Sequence, residues 1–306
     1  MGADDNDHFV SQGWQRNFGT EDRRVAVIDA RTGSIVDRGR PIKRNFAKPG
    51  FMTQTELTGE WNRDTDELFK KIERQVFERV REVRRGVCGA EHREAVIKMC
   101  TIHLVRSEDY RDGVLRVLDQ FEPQAMSEYP SSAELHRRFM ERTGQLPPPG
   151  YVEYLVAKWM NRQRGGAAFF EATEDRLSAV EAQLRQWHLQ VIEVDASLPG
   201  LALGDNPMVH AHLPSSRFGI RDALAVGDAD LIMAPLARRV VVFFTKDRIA
   251  SKTLTTLVKV QELNSLIARA ARNELACHPD DAVKVRRVCG NFGRYLPTGD
   301  QLTVRR

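Results

Sequence analysis

The chain has 306 residues, a net charge of +4 at pH 7 and four cysteines. This length suffices for a self-supporting core, and the scattered cysteines form no C-x-x-C pair, which excludes a zinc ribbon and a disulfide framework. No apolar stretch approaches the roughly 18 residues of a membrane span, and the acidic N-terminus lacks the basic region of a secretion signal. We therefore expect a cytoplasmic protein with no membrane partner.

The first part of the chain predicts a β-hairpin followed by a long helix. Residues 24–29 and 35–37 have strand character and are separated by a turn that contains glycine. The helix begins at Asp64-x-x-Glu67, which resembles a capping box, and ends at Gly86. Apolar residues recur along it every three or four positions, which indicates one buried face: Leu68, Ile72, Val76, Val80 and Val83.

The middle of the chain is predominantly helical in pattern, and strand character returns after it. Helical periodicity covers five further segments: 91–107, 113–121, 132–143, 151–163 and 172–188. Short apolar segments with strand character follow: 189–194, 208–210, 231–234 and 240–244. A long amphipathic helix is predicted over residues 252–273.

These elements predict an α+β fold. We expect an antiparallel or mixed sheet built from both ends of the chain, with a largely helical middle lobe between them. The chain divides into an N-terminal hairpin and connection (1–63), a helical lobe (64–188), and a segment that completes the sheet and ends in a helix (189–306). We expect these three parts to form one integrated domain.

The motif Gly204-Asp205-Asn206-Pro207 is the strongest candidate for an active site. The proline fixes its own φ and holds the preceding residue extended, while the glycine permits close backbone approach. The carboxylate of Asp205 and the amide of Asn206 are therefore presented rigidly. The alternative is an Asx-turn, in which Asp205 bonds to amides of its own loop and only shapes the bend.

Histidines supply further candidates for proton transfer or metal ligation. His8 and His210 are possible general acids or bases. His210-x-His212 and Asp228-x-Asp230 would each place two side chains on one face of an extended segment. The alternative metal site would consist of Asp205, Asp228, Asp230 and His210. Strand-edge polarity explains these residues more simply, so we predict no metal.

Arginine and asparagine side chains near aromatic residues are candidates for contacts with nucleic acid. Basic groups interleaved with aromatics suit a ligand whose phosphates need neutralising and whose bases stack. The candidates are Arg16, Asn17, Arg44, Arg238 and Arg239. The solvated faces of ordinary helices and strands would show the same residues. No P-loop, G-x-G-x-x-G or G-x-S-x-G motif occurs, so no dinucleotide or other cofactor is predicted.

The order and spacing of short motifs resemble an uncharacterised bacterial family, domain-of-unknown-function family 4238. The matching pieces cover most of the chain: His8-Phe9-Val10-x-Gln12, Arg16-Asn17-Phe18, Asn45-Phe46, Phe51, the helix from Glu67 to Glu73, Gly204-Asp205-Asn206-Pro207, Pro235-Leu236 and Asn264. The chain departs from the family pattern at Ser11, where the family tends to have proline, and over residues 13–15. The resemblance implies a soluble prokaryotic protein and adds Asn264 to the candidates for nucleic-acid contact.

We expect a prokaryotic hydrolase that acts on nucleic acid, with DNA as its partner, and that releases a base by cleaving an N-glycosidic bond. Phage defence is the expected setting. One fixed carboxylate can support this reaction, whereas phosphodiester cleavage generally needs metal ions or an activated nucleophile. Asp205 would stabilise the sugar cation or orient water, Asn206 would position the base, and His8 or His210 would assist protonation. Two alternatives stay open, a metal-dependent nuclease and a non-enzymatic module that binds nucleic acid or protein.

Overall fold

The computed structural model describes residues 6–49, 51, 54–55, 61–62, 64–113, 132–147, 173–212, 217–218, 226–246, 253–254 and 256–289. Their helices are α1 (Gln12–Gln15), α2 (Asp64–Val83), α3 (Ala90–Val105), α4 (Ser132–Thr143), α5 (Thr173–Arg185), α6 (Leu257–Ala270) and α7 (Ala282–Val285). Their strands are β1 (Asn6–His8), β2 (Arg24–Asp29), β3 (Ile35–Pro41), β4 (Ala47–Pro49), β5 (Gln54–Thr55), β6 (Trp61–Asn62), β7 (His188–Val194), β8 (Leu203–Gly204), β9 (Val209–His212), β10 (Arg217–Phe218), β11 (Leu231–Ala237), β12 (Val240–Thr245), β13 (Thr253–Leu254) and β14 (Glu274–Cys277). The predicted α+β class is confirmed.

The larger sheet has the strand order β10-β9-β11-β12-β7-β13 and is antiparallel except where β13 pairs with β7. Its central strands β11 and β12 are buried along nearly their whole length. Their sequences are runs of apolar residues without alternation, which is typical of strands covered on both faces. This sheet therefore lies within the main hydrophobic core.

The second sheet joins the two ends of the described chain. Its order is β3-β2-β14-β8, so the N-terminal hairpin pairs with a strand that follows the last long helix. The prediction of a sheet built from both ends holds for this sheet. The larger sheet is separate from this one, and its described strands lie between residues 188 and 254.

Helix α2 packs on α3, and α3 packs on α5. The predicted helices 132–143 and 172–188 and the start of the predicted helix at Asp64 agree closely with the structure. The predicted helix 151–163 and nearly all of 113–121 lie outside the described residues. The predicted helix 252–273 is shorter than expected, because Thr253–Leu254 forms a strand and Thr256 caps α6 through the main-chain N–H of Lys259.

The helix predicted over 91–107 ends at Val105, and helical conformation resumes at residues 108–113. Ser107 causes the break. Its hydroxyl donates to the carbonyl of Leu104 and accepts from the main-chain N–H of Tyr110, as the cap of a new helix does. Three charged residues at this break are buried: Arg106, Glu108 and Asp109.

In the described part of the chain, no helix combines the length and the apolar character needed to cross a bilayer.

Candidate functional site

Asp205 lies directly after β8 and is held by the main chain of a distant segment. Its Oδ1 accepts the N–H of Arg272 (2.6 Å), and its Oδ2 accepts those of Asn273 (2.8 Å) and Glu274 (3.1 Å). The N–H of Asp205 in turn donates to the carbonyl of Glu274. The carboxylate thus fastens the end of α6 and the start of β14 to the turn after β8. These contacts give Asp205 a structural role and count against it as the reacting carboxylate, a role that stays a prediction.

The electrostatic surroundings of Asp205 are those of a buried carboxylate near other acids. Burial raises its pKa to about 6, and the three N–H donors oppose the rise. Glu108 nearby raises the pKa further. A carboxyl group that titrates near pH 6 exists in both protonation states under physiological conditions.

Gly204 and Asn206 complete the turn. A Cβ at Gly204 would lie 3.0 Å from the carbonyl oxygen of Asn206 and 3.3 Å from Ala271, so close packing requires glycine here. The Nδ2 of Asn206 donates to Oδ2 of Asp109 over 3.3 Å. The Oδ1 of Asn206 is buried and has no hydrogen-bond partner among the described residues.

Asp109 belongs to a charged segment, residues 106–112, on which contacts from five parts of the chain converge. At its start, the buried guanidinium of Arg106 donates from Nη1 to Oε1 of Glu73 (2.9 Å) and lies 3.5 Å from Oδ1 of Asp66. Burial raises the pKa of Glu73, and the neighbouring Arg106 limits the rise. Both carboxylates come from α2. One guanidinium therefore faces two acids of this helix in the interior.

The rest of this segment contacts the strand β4 and the chain after α6. Glu108 forms an ion pair with Lys48 (2.6 Å) and approaches the guanidinium of Arg272 (3.5 Å). The same guanidinium lies 3.7 Å from Asp109 and contacts Asp112 at the surface. We refer to residues 106–112, with Asp66, Glu73, Asn206 and Arg272, as the acid–arginine centre.

His8, at the end of β1, lies close enough to this centre for Arg106 to influence its titration. Burial and the charge of Arg106 lower the pKa of His8, and hydrogen bonds to the main chain of Ile42 and Lys43 oppose this shift. The Nε2 atom is buried and has no hydrogen-bond partner among the described residues. Since Nδ1 is then the nitrogen that faces the main chain, we assign the neutral tautomer with the lone pair on Nε2.

A strained backbone position and an aromatic cluster hold the segment that contains His8. The N–H of Phe9 donates to the carbonyl of Phe46 (3.1 Å), and the rings of Phe46 and Phe51 pack against Phe9. Phe46 has a φ of 51°, which is rare for a bulky residue and is maintained only by strong surrounding contacts. Some of these contacts come from its buried neighbour Asn45, whose Nδ2 donates to Oε1 of Gln15.

His103, in α3, holds the start of α1 through hydrogen bonds. Its Nε2 accepts the N–H of Ser11 (3.1 Å), and its Nδ1 donates to the carbonyl of Met99 (2.9 Å). Complete burial lowers its pKa to about 3, so the ring is neutral. Trp14 packs edge-on against this ring and donates from Nε1 to the carbonyl of Pro235. The N-terminal motif is therefore tied both to α3 and to the larger sheet.

Two properties distinguish the acid–arginine centre from ordinary surface charge. First, His8 Nε2, Arg106 Nε and Asn206 Oδ1 are all buried without a hydrogen-bond partner among the described residues. Native proteins leave few such atoms, and each calls for an explanation such as a ligand or water. Second, five acids lie buried or nearly buried at this centre: Asp66, Glu73, Glu108, Asp109 and Asp205. Lys70, Arg106, Lys48 and Arg272 pair with the first four over 2.6–3.7 Å, and main-chain N–H groups donate to Asp205.

Four other predicted site residues lie away from the centre. His210 is buried in β9, opposite Ile232 of the larger sheet. Arg238 forms an ion pair with Asp281 (2.7 Å), and Arg239 donates to main-chain carbonyls. The remaining one, Asn264, accepts the N–H of Ala202 and donates to the carbonyl of Gly200, which anchors the loop before β8 on α6.

The internal contacts of Arg238, Arg239 and Asn264 count against contact with nucleic acid, a role that stays a prediction for these residues. Arg16 and Arg44 are exposed, as such contacts require. Asn17 is half-buried; its Oδ1 accepts from Arg84, and its Nδ2 donates to the carbonyl of Leu236.

The alternative metal ligands are not assembled into one site. Asp228 and Asp230 are exposed, while Asp205 and His210 are buried. Asp230 lies 3.8 Å from the ring of His212 instead. Within the described ranges, no group of three or more His, Cys, Asp or Glu side chains could hold a metal ion.

Comparison with known proteins identifies a family for this chain but no activity. A family model described as "Protein of unknown function (DUF4238)" matches residues 6–281, which is most of the chain. Neither the curated proteins nor the solved structures contain a match.

Proposed function

We propose that this chain, which belongs to the DUF4238 family of proteins of unknown function, is a hydrolase that acts on nucleic acid. In this proposal it releases a base by cleaving an N-glycosidic bond. The observation that carries the proposal is the group of buried carboxylates at the acid–arginine centre, beside three buried polar atoms that have no hydrogen-bond partner among the described residues. Buried polar atoms of this kind call for a ligand or water. Fixed carboxylates suit a ligand on which positive charge develops during the reaction.

Cleavage of an N-glycosidic bond meets this requirement. As the bond between C1′ and the base nitrogen breaks, the electron pair leaves with the base and the sugar acquires oxocarbenium character. Fixed carboxylates stabilise this positive charge in a site that excludes water. Phosphodiester cleavage places additional negative charge on the phosphate and would be disfavoured beside the same acids. The group of buried acids thus favours base release over the nuclease alternative.

The groups with unused hydrogen-bonding capacity suit the remaining steps. The lone pair of His8 Nε2 accepts a proton from the water whose oxygen bonds to C1′, and the departing base nitrogen takes up a proton in exchange. The carboxylate of Asp109 faces the sugar cation, held in place by Asn206. The Oδ1 of Asn206 accepts a hydrogen bond from the base or from the water. The products are a free base and an abasic sugar.

The exposed cations of the N-terminal region support nucleic acid as the substrate. Arg16 and Arg44 are exposed, and in the sequence Arg16 follows His8 by eight residues and Arg44 precedes Phe46 by two. Guanidinium groups bind phosphates well, and the backbone of a nucleic acid offers them in a regular array. DNA as the substrate and phage defence as the setting belong to this proposal.

The test is release of bases from DNA by the purified full chain. Oligonucleotides with natural and modified bases are incubated with the protein, and alkali-labile abasic sites are counted on denaturing gels. We expect Asp109→Asn and His8→Gln to lower the rate at least 100-fold, the usual lower range for a lost acid–base or electrostatic group. Asp280→Asn is the matched control, because Asp280 is an exposed aspartate that pairs with Arg238 outside the acid–arginine centre.

Three outcomes would contradict the proposal in different ways. Intact DNA across the whole panel would remove base release as the activity. Phosphodiester cleavage that EDTA abolishes would support the metal-dependent nuclease instead. If a folded Asp205→Asn variant is inactive and Asp109→Asn is active, the carboxylate that stabilises the sugar cation is Asp205 and not Asp109.

A further inference from the structure

Arginines accumulate at the C-terminal end of α2, around the side chain of Arg84. Arg81 pairs with Glu78 at the surface over 3.1 Å, whereas Arg84 is half-buried. Burial lowers the pKa of Arg84, and the like charges of Arg81 and Arg85 lower it further. The attraction between basic side chains and the end of a helix accounts for the exposed arginines. It does not account for a guanidinium drawn inwards beside two others.

Neighbouring residues hold the guanidinium of Arg84 in one orientation. Its Nη1 donates to Oδ1 of Asn17 over 2.5 Å, and Nδ2 of Asn17 donates to the carbonyl of Leu236 over 3.0 Å. The Nε atom is buried and has no hydrogen-bond partner among the described residues. Beside it lies a crevice of about 10 Å³, walled by Trp14 and Phe77, which is room for about one water-sized group.

We infer that Arg84, supported by Arg81 and Arg85, binds a phosphate group of the nucleic-acid backbone. An arginine fixed by an amide presents its remaining N–H groups in the planar fork that matches phosphate oxygens. A phosphate there neutralises the like charges that α2 gathers at its end. Asn17 is then a positioning residue that acts through Arg84.

This inference rests on the proposed function, because the proposed function identifies the molecule that carries the phosphate as a nucleic acid. The chain also connects the two sites. Trp14 lines the crevice and packs against His103, whose Nε2 lies 3.8 Å from Glu73 of the acid–arginine centre. Through Trp14 and His103, the crevice at Arg84 is therefore linked by contacts to the site of the proposed chemistry.

The experiment measures binding of a fluorescent DNA oligonucleotide to the full chain between 50 and 300 mM salt. We compare the wild type with Arg84→Gln and with Arg79→Gln, a variant of equal charge change on the same helix whose arginine pairs with Glu91. Loss of one duplex phosphate contact reduces the slope of log K against log salt by about 0.9, which corresponds to about eightfold weaker binding at 0.1 M salt. We expect this loss in Arg84→Gln and no change in Arg79→Gln.

Equal losses in the two variants would overturn the inference, since they would show diffuse surface charge. Failure of the wild type to bind at 50 mM salt would overturn it as well. If Arg84→Gln does not fold, as judged by circular dichroism, Arg84→Lys replaces it, because lysine keeps the charge and loses the fork. Weaker binding by folded Arg84→Lys supports the inference, and unchanged binding overturns it.

Counting abasic sites in the same samples separates the two proposals. DNA binding that depends on Arg84, without base release, would refute the proposed function and leave the phosphate site in place. Base release together with unchanged binding by Arg84→Gln would refute the phosphate site alone.

Discussion

Replacing Arg106 by methionine tests whether the acid–arginine centre is a coupled, buried unit. The guanidinium of Arg106 is 3% exposed and faces Glu73 and Asp66, which lie in the interior with it. Methionine fills a similar volume and removes the charge. Removal of one partner of a buried ion pair costs about 3–5 kcal/mol, because the other charges remain buried without compensation. We expect a loss of this size in the free energy of unfolding at pH 7.5.

The pH dependence of this loss gives a second, independent measurement. Burial already raises the pKa of Glu73, and Arg106 is the strongest influence that lowers it. Without Arg106 the folded-state pKa rises further above the unfolded value. A carboxyl group with a raised folded-state pKa contributes stability at low pH, and that contribution is lost as the pH rises through the folded-state pKa. The deficit of Arg106→Met should therefore shrink as the pH falls from 7.5 towards 4.5.

The assay is urea unfolding followed by tryptophan fluorescence at several pH values. Arg79→Met is the control, because its ion pair with Glu91 is exposed and is worth at most about 1 kcal/mol. The double variant Arg106→Met, Glu73→Gln should recover part of the loss, since it removes one of the stranded charges. A loss below 1 kcal/mol in Arg106→Met, or a deficit that grows on acidification, would refute the reasoning.

Two further predictions concern a carboxyl group and a close helix contact. The Asp205 carboxyl should titrate near pH 6 in carbon-detected NMR, and since this folded-state pKa is raised, its contribution to stability should decline as the pH rises through 6. A titration below pH 4 would show that the three N–H donors outweigh burial. Gly13→Ala should destabilise the protein by about 1–3 kcal/mol, because the new Cβ would lie 1.8 Å from the ring of Phe77. Gly39→Ala, whose Cβ would meet Arg24 only at 3.8 Å, should change the unfolding midpoint much less.

Local patterns in the sequence predicted the elements whose causes are local. The hairpin of β2 and β3 and the helix α4 follow from alternation and periodicity within a few residues. The break after Val105 was missed because the helical period continues through it, and a single serine supplies the new cap. Ser107 followed by two acids was the available signal for this break.

The site was harder to predict because its contacts are distant in the chain. The sequence predicted either an exposed Asp205 or one bonded to its own loop. Its partners are instead amides 67 to 69 residues further along. Arg106 and Asp109 are buried, but the sequence does not indicate this, because charged residues are usually exposed. Composition alone could not show a group of interior acids.

The position of β14 between β2 and β8 has a consequence for biosynthesis. A ribosome completes β2 near residue 29, but the strand that pairs with its inner edge follows some 240 residues later. Until that strand emerges, the hairpin exposes an apolar edge, and long-range pairing of this kind folds slowly. We conclude that chaperone binding to nascent chains should persist until translation has passed Cys277, and that premature stop codons before Glu274 should leave the early hairpin unpaired and prone to aggregate.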